Sequence, residues 1–265
     1  MRTCGEILTV DGRRMICTAG HSFDLARSGY CNLLQPQDRR SLKPGDSRLA
    51  VEARRRFLDS GHGTALARDL IDLIVQHQPS VTTALELGSG EGFHLNLIRE
   101  RFDCDAHGID LSVPAAELAA RRYGQCTWIV ANVDHGIPYS SESFSLLASI
   151  TGPRHATEMS RVLSPKGLVV IAVPAADDLI ELREIVLGTP ILRDRSGPVE
   201  EYLRDLFVLE ARQTITRRER LSPELLRDLL AATYRGARQS RREASDALKT
   251  IDVTTSRDVL LFRKR

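Results

Sequence analysis

The chain has 265 residues, of which 42% are hydrophobic and 27% are charged, and this composition excludes a largely disordered protein. No apolar run approaches the roughly 18 residues needed to span a bilayer, and the N-terminus lacks the apolar core of a signal peptide, so we expect a cytoplasmic protein without membrane association. The net charge of +2 says little about partners, and five scattered cysteines argue against a secreted disulfide framework.

The first predicted zone, residues 1–35, is a small module built on hairpins. It has little helical periodicity and contains turn signals such as DG and AG. A polar linker, QPQDRRSLKPG, follows and leads into a predicted helix, RLAVEARRRFLDSG, which Asp46 or Ser47 would cap. We assign residues 36–63 to this linker and helix.

The module contains a candidate zinc site. Cys17 and His21 are separated by three residues, which is the spacing of a pair of zinc ligands, and Cys4 lies thirteen positions before Cys17. A cysteine just before Cys4 would complete four ligands, but that place falls on Met1. Cys31, a water molecule or a residue upstream of Met1 are the alternatives for the fourth ligand. The other interpretation is that the thiols are buried and bind no metal.

From about residue 64 the chain alternates between predicted strands and helices. The strands are TALEL, DAHGID, CTWIVA, SFSLLASI, GLVVIAV, LFVLEARQTI and DVLLFRK. The helices are TALARDLIDLIVQH, FHLNLIRERF, VPAAELAARRY, ATEMSRVL, DDLIELREIV and SPELLRDLLAAT. This alternation predicts an α/β domain over residues 64–265, with a mostly parallel, doubly wound sheet.

Three glycines at alternate positions follow the strand TALEL, in the stretch LELGSGEG. Gly88, Gly90 and Gly92 would leave the backbone open to a ligand at the N-terminus of the next helix. The spacing differs from the dinucleotide fingerprint G-x-G-x-x-G, and the Glu91 carboxylate would repel a pyrophosphate. Asp110 ends the next strand about twenty residues later, as a residue that binds ribose hydroxyls would. The loop therefore predicts a nucleoside ligand without phosphate, and the alternative is a tight turn that binds no ligand.

S-adenosylmethionine is a nucleoside of this kind, and its sulfonium is positively charged. LELGSGEG resembles the first motif of class I methyltransferases, whose second strand also ends in an acidic residue. The resemblance implies a class I, Rossmann-like α/β fold with a seven-stranded mixed sheet. It also implies a polar side chain near adenine, for which Asn132 is the candidate. The implied cofactor-binding residues of this region are Glu86, Gly88, Gly90, Glu91, Gly92, Asp110 and Asn132.

A longer resemblance covers nearly the whole chain. HSFDLARSGYCNLL, PGDS and ARRRFLDSGH, in this order, resemble the signature of the bacterial 23S rRNA guanine-N1 methyltransferases, which carry a small N-terminal zinc ribbon before a class I methyltransferase domain. The resemblance implies Cys4, Cys17 and His21 as zinc ligands. It also implies that Gly63 and Asp178 contact the cofactor, at positions where the family usually has an aromatic residue and often has a histidine.

Methylation at N1 of guanine needs a base, because that nitrogen carries a proton at neutral pH and lies within a base pair. The candidates are Asp178 and His62, followed by Asp59 and His155. Three of them also have a structural interpretation. Asp59 and His62 would cap the end of the first long helix, and Asp178 would cap the helix that begins beside it. Asp178 has the best position in the family pattern.

The resemblance implies 23S rRNA as the partner, with a guanine in a hairpin loop as the target, and in some relatives this modification gives macrolide resistance. Basic side chains of the module and linker would bind the RNA backbone, and another would lie at the acceptor pocket. They are Arg27, Arg39, Arg40 and Lys43, with Arg154 at the pocket. Two other functions stay open: a methyltransferase for a small metabolite, and an RNA-binding relative with weak catalysis. Related enzymes can dimerise, so a homodimer is also open.

Overall fold

The computed structural model describes residues 4–35, 44–188, 192–233 and 249–265. The chain forms two compact units, the first made of Met1–Gly45 and Val81–Gly167 and the second of Asp46–Ser80 and Leu168–Arg265. The predicted zone boundaries after residues 35 and 63 stay a prediction. In the described part of the chain, no helix has the length and apolar character that crossing a membrane needs.

The helices and strands lie close to the predicted ones. The helices are α1 (Arg48–Asp59), α2 (Thr64–His77), α3 (Phe93–Phe102), α4 (Val113–Arg122), α5 (Ala156–Val162), α6 (Ile180–Leu187), α7 (Ser196–Leu203) and α8 (Pro223–Thr233). The strands are β1 (Thr9–Asp11), β2 (Arg14–Ile16), β3 (Ser22–Asp24), β4 (Cys31–Asn32), β5 (Thr83–Leu87), β6 (Asp105–Asp110), β7 (Thr127–Val130), β8 (Phe144–Ile150), β9 (Leu163–Pro174), β10 (Phe207–Leu221) and β11 (Ile251–Lys264). Of these elements, α7 and β4 are not predicted from the sequence pattern.

The N-terminal hairpins form a sheet of their own. β1, β2 and β3 are antiparallel and lie in that order. Gly12, in the turn between β1 and β2, has a φ of +61°, which glycine adopts without strain. Cys17 directly follows β2 and His21 directly precedes β3, so one turn carries both of these candidate zinc ligands.

The larger sheet has eight strands, one more than the seven predicted. In the first unit the order is β8, β5, β6, β7 and β4, and the recorded pairs are parallel. The added strand is β4, in which Cys31 pairs with Ile129 and Asn32 with Val130. Two residues are too few to show the alternation or apolar run from which a strand is predicted, which is why the count is one short.

The carboxyl ends of the parallel strands carry the predicted site. β5 ends at Leu87 and continues into the glycine loop, and its register pairs Leu87 with Ile109 at the end of β6. Asp110 in turn pairs with Val130, the last residue of β7. Ligands of open α/β sheets bind outside these strand ends. The register therefore brings the glycine loop and Asp110 together at the expected edge.

The second unit contains an antiparallel arrangement in which β11 lies between β10 and β9. Ser47 caps α1 by accepting a hydrogen bond from the Ala50 N–H at 3.3 Å, as one of the two predicted caps. The core of the second unit is an apolar cluster to which α1, α6, α8 and β11 contribute. The buried members of this cluster are Phe57, Leu179, Leu182, Leu221, Leu226, Leu229, Leu230 and Val253.

Candidate cofactor site and metal centre

The glycine loop joins β5 to α3, and its backbone is fastened to the end of β6. The N–H of Gly88 donates to the carbonyl of Ile109 at 2.8 Å, and the N–H of Gly90 donates to Oδ2 of Asp110, also at 2.8 Å. The other carboxylate oxygen of Asp110 accepts the N–H of Ser112 at 2.7 Å. Two backbone groups therefore fix the position of the Asp110 carboxylate beside the loop.

Two of the three glycines are required by contacts within the protein. Gly88 and Gly92 have φ values of +74° and +87°, in the left-handed region that favours glycine. A Cβ at Gly88 would lie 2.6 Å from Cδ of Pro153, and one at Gly92 would lie 2.5 Å from the Trp128 ring. The tight-turn interpretation thus explains these two glycines without a ligand. A ligand is indicated instead by Asp110 and by the acidic residues of the loop, Glu86 and Glu91.

Three carboxylates lie at the loop. Glu86 and Glu91 are buried, at 1% and 4% exposure, and Asp110 is partly buried. Burial, and secondarily the charge of Glu91, raises the pKa of Glu86 well above its ordinary value. Among the described residues, Oε2 of Glu86 is buried without a hydrogen-bond partner. A positively charged ligand would relieve both the missing partner and the mutual repulsion, so these residues fit S-adenosylmethionine and oppose a pyrophosphate.

Asn132 is the residue predicted to contact adenine. It follows β7 and caps the 3-10 turn Val133–His135, where its Oδ1 accepts the N–H of Asp134 at 3.0 Å. Because Asp110 pairs with Val130, Asn132 lies two residues beyond the partner of Asp110. Its contact with adenine stays a prediction.

The turn after β8 packs against the glycine loop. Thr151 has a φ of +56°, and a Cβ at Gly152 would collide with the carbonyl oxygen of Leu87. The hydroxyl of Ser149 donates to the carbonyl of Pro153 at 3.0 Å and holds the turn in shape. The turn is therefore a fixed neighbour of the loop, and the role of its next residue, Arg154, in binding the acceptor stays a prediction.

The predicted zinc ligands form a cluster. Sγ of Cys4 lies 4.0 Å from Sγ of Cys17, and Sγ of Cys17 lies 3.3 Å from Nδ1 of His21. All three ligand atoms lie within 4.8 Å of one another. In a tetrahedral zinc site with bonds of about 2.0–2.3 Å, the ligand atoms are roughly 3.5–3.8 Å apart. The cluster therefore fits three corners of such a site.

Cys31 does not belong to this cluster. Within the described residues the cluster holds the two other cysteines of the module and His21, and Cys31 is absent from it. Cys31 lies in β4, opposite Ile129 of β7, and burial, with a smaller effect of the Asp24 charge, raises the pKa of its thiol to about 11. The structure therefore does not support Cys31 as the fourth ligand. Met1 lies outside the described residues.

The basic residues predicted to bind RNA fall only partly within the described chain. Arg27 is exposed, in the module. The linker residues Arg39, Arg40 and Lys43 lie outside the described residues. Their contribution stays a prediction.

In the second unit, His62 lies between α1 and α2 against a partly buried glutamate. Its ring stacks on Phe57, with the ring centroids 5.8 Å apart, and its Nδ1 lies 3.8 Å from Oε1 of Glu219 on β10. The same oxygen accepts the N–H of Gly63 at 3.0 Å. The other oxygen of Glu219 is buried without a hydrogen-bond partner in the described part of the chain. Glu219 is not predicted from the sequence, because it lies in the charged stretch TRRER, where an exposed face is the ordinary expectation.

Asp178 is held by β11 and not by the helix beside it. It is 5% exposed, and its Oδ1 accepts the N–H of Ser256 at 2.9 Å and pairs with Nη1 of Arg257 at 2.5 Å. The residue before α6 is Leu179, with a φ of +54° and no side-chain cap, so the prediction that Asp178 caps α6 is wrong. Both contacts fall on Oδ1, and they hold the carboxylate against β11.

The two remaining base candidates have structural partners. Oδ2 of Asp59 pairs with Arg55 at 3.2 Å, and the residue that caps the end of α1 is Ser60, so Asp59 is not the cap. Nδ1 of His155 accepts the N–H of Glu158 at 3.4 Å and caps the start of α5. Both side chains are therefore accounted for by helix structure.

Comparisons with known proteins agree with this geometry. Residues 3–42 match a zinc-ribbon family model described as "RlmA, N-terminal", and residues 84–167 match one described as "Methyltransferase domain". The 23S rRNA (guanine(748)-N(1))-methyltransferase of Streptomyces fradiae is 31% identical over 233 residues, which cover 86% of this chain and 81% of that protein. The chain belongs to the 23S rRNA guanine-N1 methyltransferase family. This membership confirms the class I methyltransferase fold and the N-terminal zinc ribbon.

Other similarities extend the fold beyond the 23S rRNA guanine-N1 methyltransferase family. A ribosomal protein L11 methyltransferase of Rhizobium johnstonii is 30% identical over 160 residues, which are 55% of this chain and 54% of that protein. The solved YcgJ protein of Bacillus subtilis has a TM-score of 0.52 at 14% identity and covers 75% of this chain and 99% of its own chain. The first of these matches covers about half of each chain, and the second shows the fold alone.

The family accounts for both predicted cofactors. A methyltransferase domain implies S-adenosylmethionine, and the zinc-ribbon match together with the three-ligand cluster allows zinc. Three departures from the family pattern are expected from the sequence, at Gly63, at Asp178 and at the fourth zinc position on Met1, and they stay predictions. Gly63 and Asp178 lie in the second unit, and the fourth zinc position falls in the first.

Proposed function

We propose that this chain transfers a methyl group from S-adenosylmethionine to N1 of a guanine in a hairpin loop of 23S rRNA. The observation that supports this function is the match to the Streptomyces fradiae 23S rRNA (guanine(748)-N(1))-methyltransferase, which covers 86% of this chain. A match of that length includes much more than the methyltransferase domain at residues 84–167. The position of the target guanine and a role in macrolide resistance stay predictions.

The residues of the first unit would bind and orient the cofactor. Each oxygen of Asp110 accepts one backbone N–H, which positions the carboxylate at the end of β6, where it would bind the ribose hydroxyls. Glu86 and Glu91 place negative charge where a positively charged ligand is favoured. When bound, S-adenosylmethionine supplies an electrophilic methyl group, whose bond to sulfur breaks with the electron pair passing to sulfur as the bond to N1 forms. Catalysis by such a site is mainly positioning.

A base must remove the proton from N1 of guanine. Asp178 and His62 are the proposed acceptors, and Asp178 is already bonded to Arg257 and Ser256. Among the described residues, none forms a hydrogen bond with Nε2 of His62, so this nitrogen keeps its capacity to accept a proton. We therefore favour His62 as the general base. Gly63 and Asp178 stay predicted cofactor contacts.

The N-terminal module, residues 1–35, would bind the RNA. We propose that zinc on Cys4, Cys17 and His21 keeps the module folded, because a sheet of three-residue strands has a very small core of its own. Arg27 would then contact phosphate, which positions the RNA without reading its sequence. A homodimer stays a prediction.

Methyl incorporation into ribosomal RNA tests the function. The protein is incubated with unmodified 23S rRNA and labelled S-adenosylmethionine, and reverse transcription then maps the modification, because N1 methylation blocks base pairing. We expect label in the RNA and a single stop beside one guanine. The same RNA with that guanine changed to adenine should take up no label at the site.

Two other outcomes would contradict the proposal. Label in a small metabolite or a ribosomal protein, with none in RNA, would assign another acceptor. Binding of RNA without any label would support an RNA-binding relative with weak catalysis. Salt separates the acceptor classes further, since an RNA enzyme loses affinity steeply as salt rises and an enzyme for a neutral metabolite does not.

A further inference from the structure

We propose that Glu219 is the positioning residue for His62, orienting its imidazole so that Nε2 accepts the N1 proton of the target guanine. The inference rests on the proposed function and adds to it a residue of β10. It starts from an unusual feature of this carboxylate, which is mostly buried and yet only half used in hydrogen bonding.

The two oxygens of Glu219 are in different situations. Oε1 accepts the N–H of Gly63 at 3.0 Å and lies 3.8 Å from Nδ1 of His62. Oε2 is buried and has no hydrogen-bond partner among the described residues. The side chain as a whole is 13% exposed, so water has little access to this oxygen. Leaving a carboxylate oxygen in this state is costly, so the arrangement favours one further donor. Besides the Gly63 N–H, the imidazole of His62 is the group that the structure places beside this carboxylate, with its Nδ1 nearest to Oε1.

The separation of 3.8 Å is close to hydrogen-bond distance. A movement of the ring by about 1 Å would bring Nδ1 within hydrogen-bond range, and catalytic hydrogen bonds are often long in the free enzyme and shorten when substrate binds. The Phe57 ring stacks on the imidazole at an interplanar angle of 29°, which limits its rotation. Phe57 therefore limits the rotation of the imidazole by stacking, and Glu219 attracts its Nδ1.

A carboxylate beside Nδ1 decides which nitrogen of His62 is the base. A carboxylate only accepts hydrogen bonds, so Nδ1 carries the hydrogen and Nε2 keeps its lone pair. In the reaction the N1–H bond of guanine breaks, its electron pair stays on N1, and the proton passes to Nε2. Glu219 then stabilises the imidazolium that forms. The proton leaves to water after the product dissociates.

A second histidine–glutamate pair, whose glutamate is also on β10, shows what a structural pair looks like. Nδ1 of His77, on α2, lies 2.7 Å from Oε1 of Glu210, on β10. The other oxygen of Glu210 binds Nε of Arg263 at 2.5 Å, so both oxygens are partnered. The pair is complete as it stands, whereas the pair of His62 and Glu219 has one oxygen unused and a longer contact. Glu210 therefore provides a matched control.

The kinetic test compares Glu219→Gln with Glu210→Gln. The glutamine carbonyl can still accept the Gly63 N–H, so the fold is retained, but the amide no longer forces the hydrogen onto Nδ1. We expect kcat to fall by about 10- to 100-fold in Glu219→Gln, which is part of the rate enhancement that a general base contributes. KM for RNA and for S-adenosylmethionine should stay within about twofold, and Glu210→Gln should keep kcat. An unchanged kcat, or a loss in KM alone, would overturn the proposal.

A double-mutant cycle covers the case in which Glu219→Gln unfolds the protein. If Glu219 acts through His62, then Glu219→Asp added to His62→Gln should lower kcat no further than His62→Gln does alone. Independent, multiplying losses would show that Glu219 acts elsewhere and would contradict the positioning role.

A spectroscopic test needs no RNA and so separates this proposal from the proposed function. In 15N-labelled histidine spectra of the full chain, we expect neutral His62 to carry its hydrogen on Nδ1, the reverse of the preference of free histidine. Glu219→Gln should shift it towards Nε2, and Glu210→Gln should not. A wild-type His62 with its hydrogen on Nε2 would overturn the proposal. Failure of the wild-type protein to label RNA would instead count against the proposed function, with the tautomer still measured.

Discussion

Two regions of the molecule hold their candidate functional groups by different means. In the first unit, Asp110 is fixed by the backbone N–H groups of Gly90 and Ser112. In the second unit, the contacts are mainly with side chains from strands distant in the sequence. His62 lies against Glu219 on β10, and Asp178 pairs with Arg257 on β11. Asp178 also accepts one backbone N–H, from Ser256. Backbone groups are present whatever the residue type, but a side-chain partner is lost with a single substitution.

The contacts of the motif LELGSGEG run largely through the backbone. Gly63 and Asp178 lie beside the side chains of Glu219 and Arg257. We infer that the cofactor loop is constrained by geometry that few sequences can meet, whereas the second unit can exchange one pair of side chains for another. Each of the following predictions tests one side of this comparison.

Removing a side-chain partner should give the largest effect. Arg257→Ala leaves the buried Asp178 carboxylate without its cation, and we expect the free energy of unfolding to fall by about 3 kcal/mol. Urea unfolding measures the change. Adding Asp178→Asn to the same protein removes the unpaired charge and should restore much of the loss. If the double variant is no more stable than Arg257→Ala alone, the pair is not what holds Asp178.

Removing the backbone-held carboxylate should act mainly on binding. Asp110→Ala deletes the proposed ribose contacts and leaves the Gly90 and Ser112 N–H groups without their acceptor. We expect roughly 100-fold weaker binding of S-adenosylmethionine and of S-adenosylhomocysteine, about 2–3 kcal/mol, by calorimetry. Asp72→Ala, which removes an exposed carboxylate of α2, is the control and should bind normally. Unchanged affinity in Asp110→Ala would remove the ribose role.

A methyl group placed in the glycine loop should cost less but still be measurable. In Gly92→Ala the new Cβ meets the Trp128 ring at 2.5 Å with φ at +87°, and we expect about 1–2 kcal/mol of lost stability. Trp128 is the single tryptophan, so its fluorescence reports both the local shift and the urea transition. Gly124→Ala, where the nearest atom is 3.9 Å away, should be close to neutral. Equal effects at the two positions would show that the loop is not tightly packed.

The elements that the sequence predicts correctly are those with enough residues to show a period. β5, β6 and α2 have the same bounds in the prediction and in the structure. In α2 the apolar residues recur at helical spacing along the whole helix. β4 has only two residues. α7 contains Gly197 and Pro198 in its first turn, which are turn signals in a sequence pattern, although proline is tolerated at that place in a helix.

The residues of the candidate site also differ in how far the sequence predicts them. Asp110 is predictable because a strand, a glycine loop and a strand end are linked by a fixed spacing along the chain. Glu219 and Arg257 are not, because each reaches its partner only through the pairing of β10 with β11 and the folding of both against distant helices. Nothing in TRRER distinguishes Glu219 from its charged neighbours before the strand is folded.

The smallest expected effect concerns the buried carboxylate of the loop and depends on pH. Burial raises the pKa of Glu86 in the folded protein, so the folded state holds its proton more tightly than the unfolded chain does. Stability is therefore lost as pH rises from about 4.5 through the raised folded value, and the cost is fully present above it. Glu86→Gln cannot ionise, so the cofactor-free variant should match the wild type near pH 4 and exceed it increasingly towards pH 8 in thermal unfolding.

Cofactor binding should change in the opposite direction in the same variant. Glu86→Gln removes a negative charge from the loop, so its affinity for S-adenosylmethionine should fall even though the cofactor-free protein is more stable. Glu201→Gln, a change at an exposed pair with Arg204, should alter neither quantity. A gain in stability together with a gain in affinity would show that the loop does not use the charge of Glu86 for its ligand. Ligand binding at the loop would then depend on Asp110 and not on Glu86, since backbone groups position the Asp110 carboxylate whether or not Glu86 is ionised.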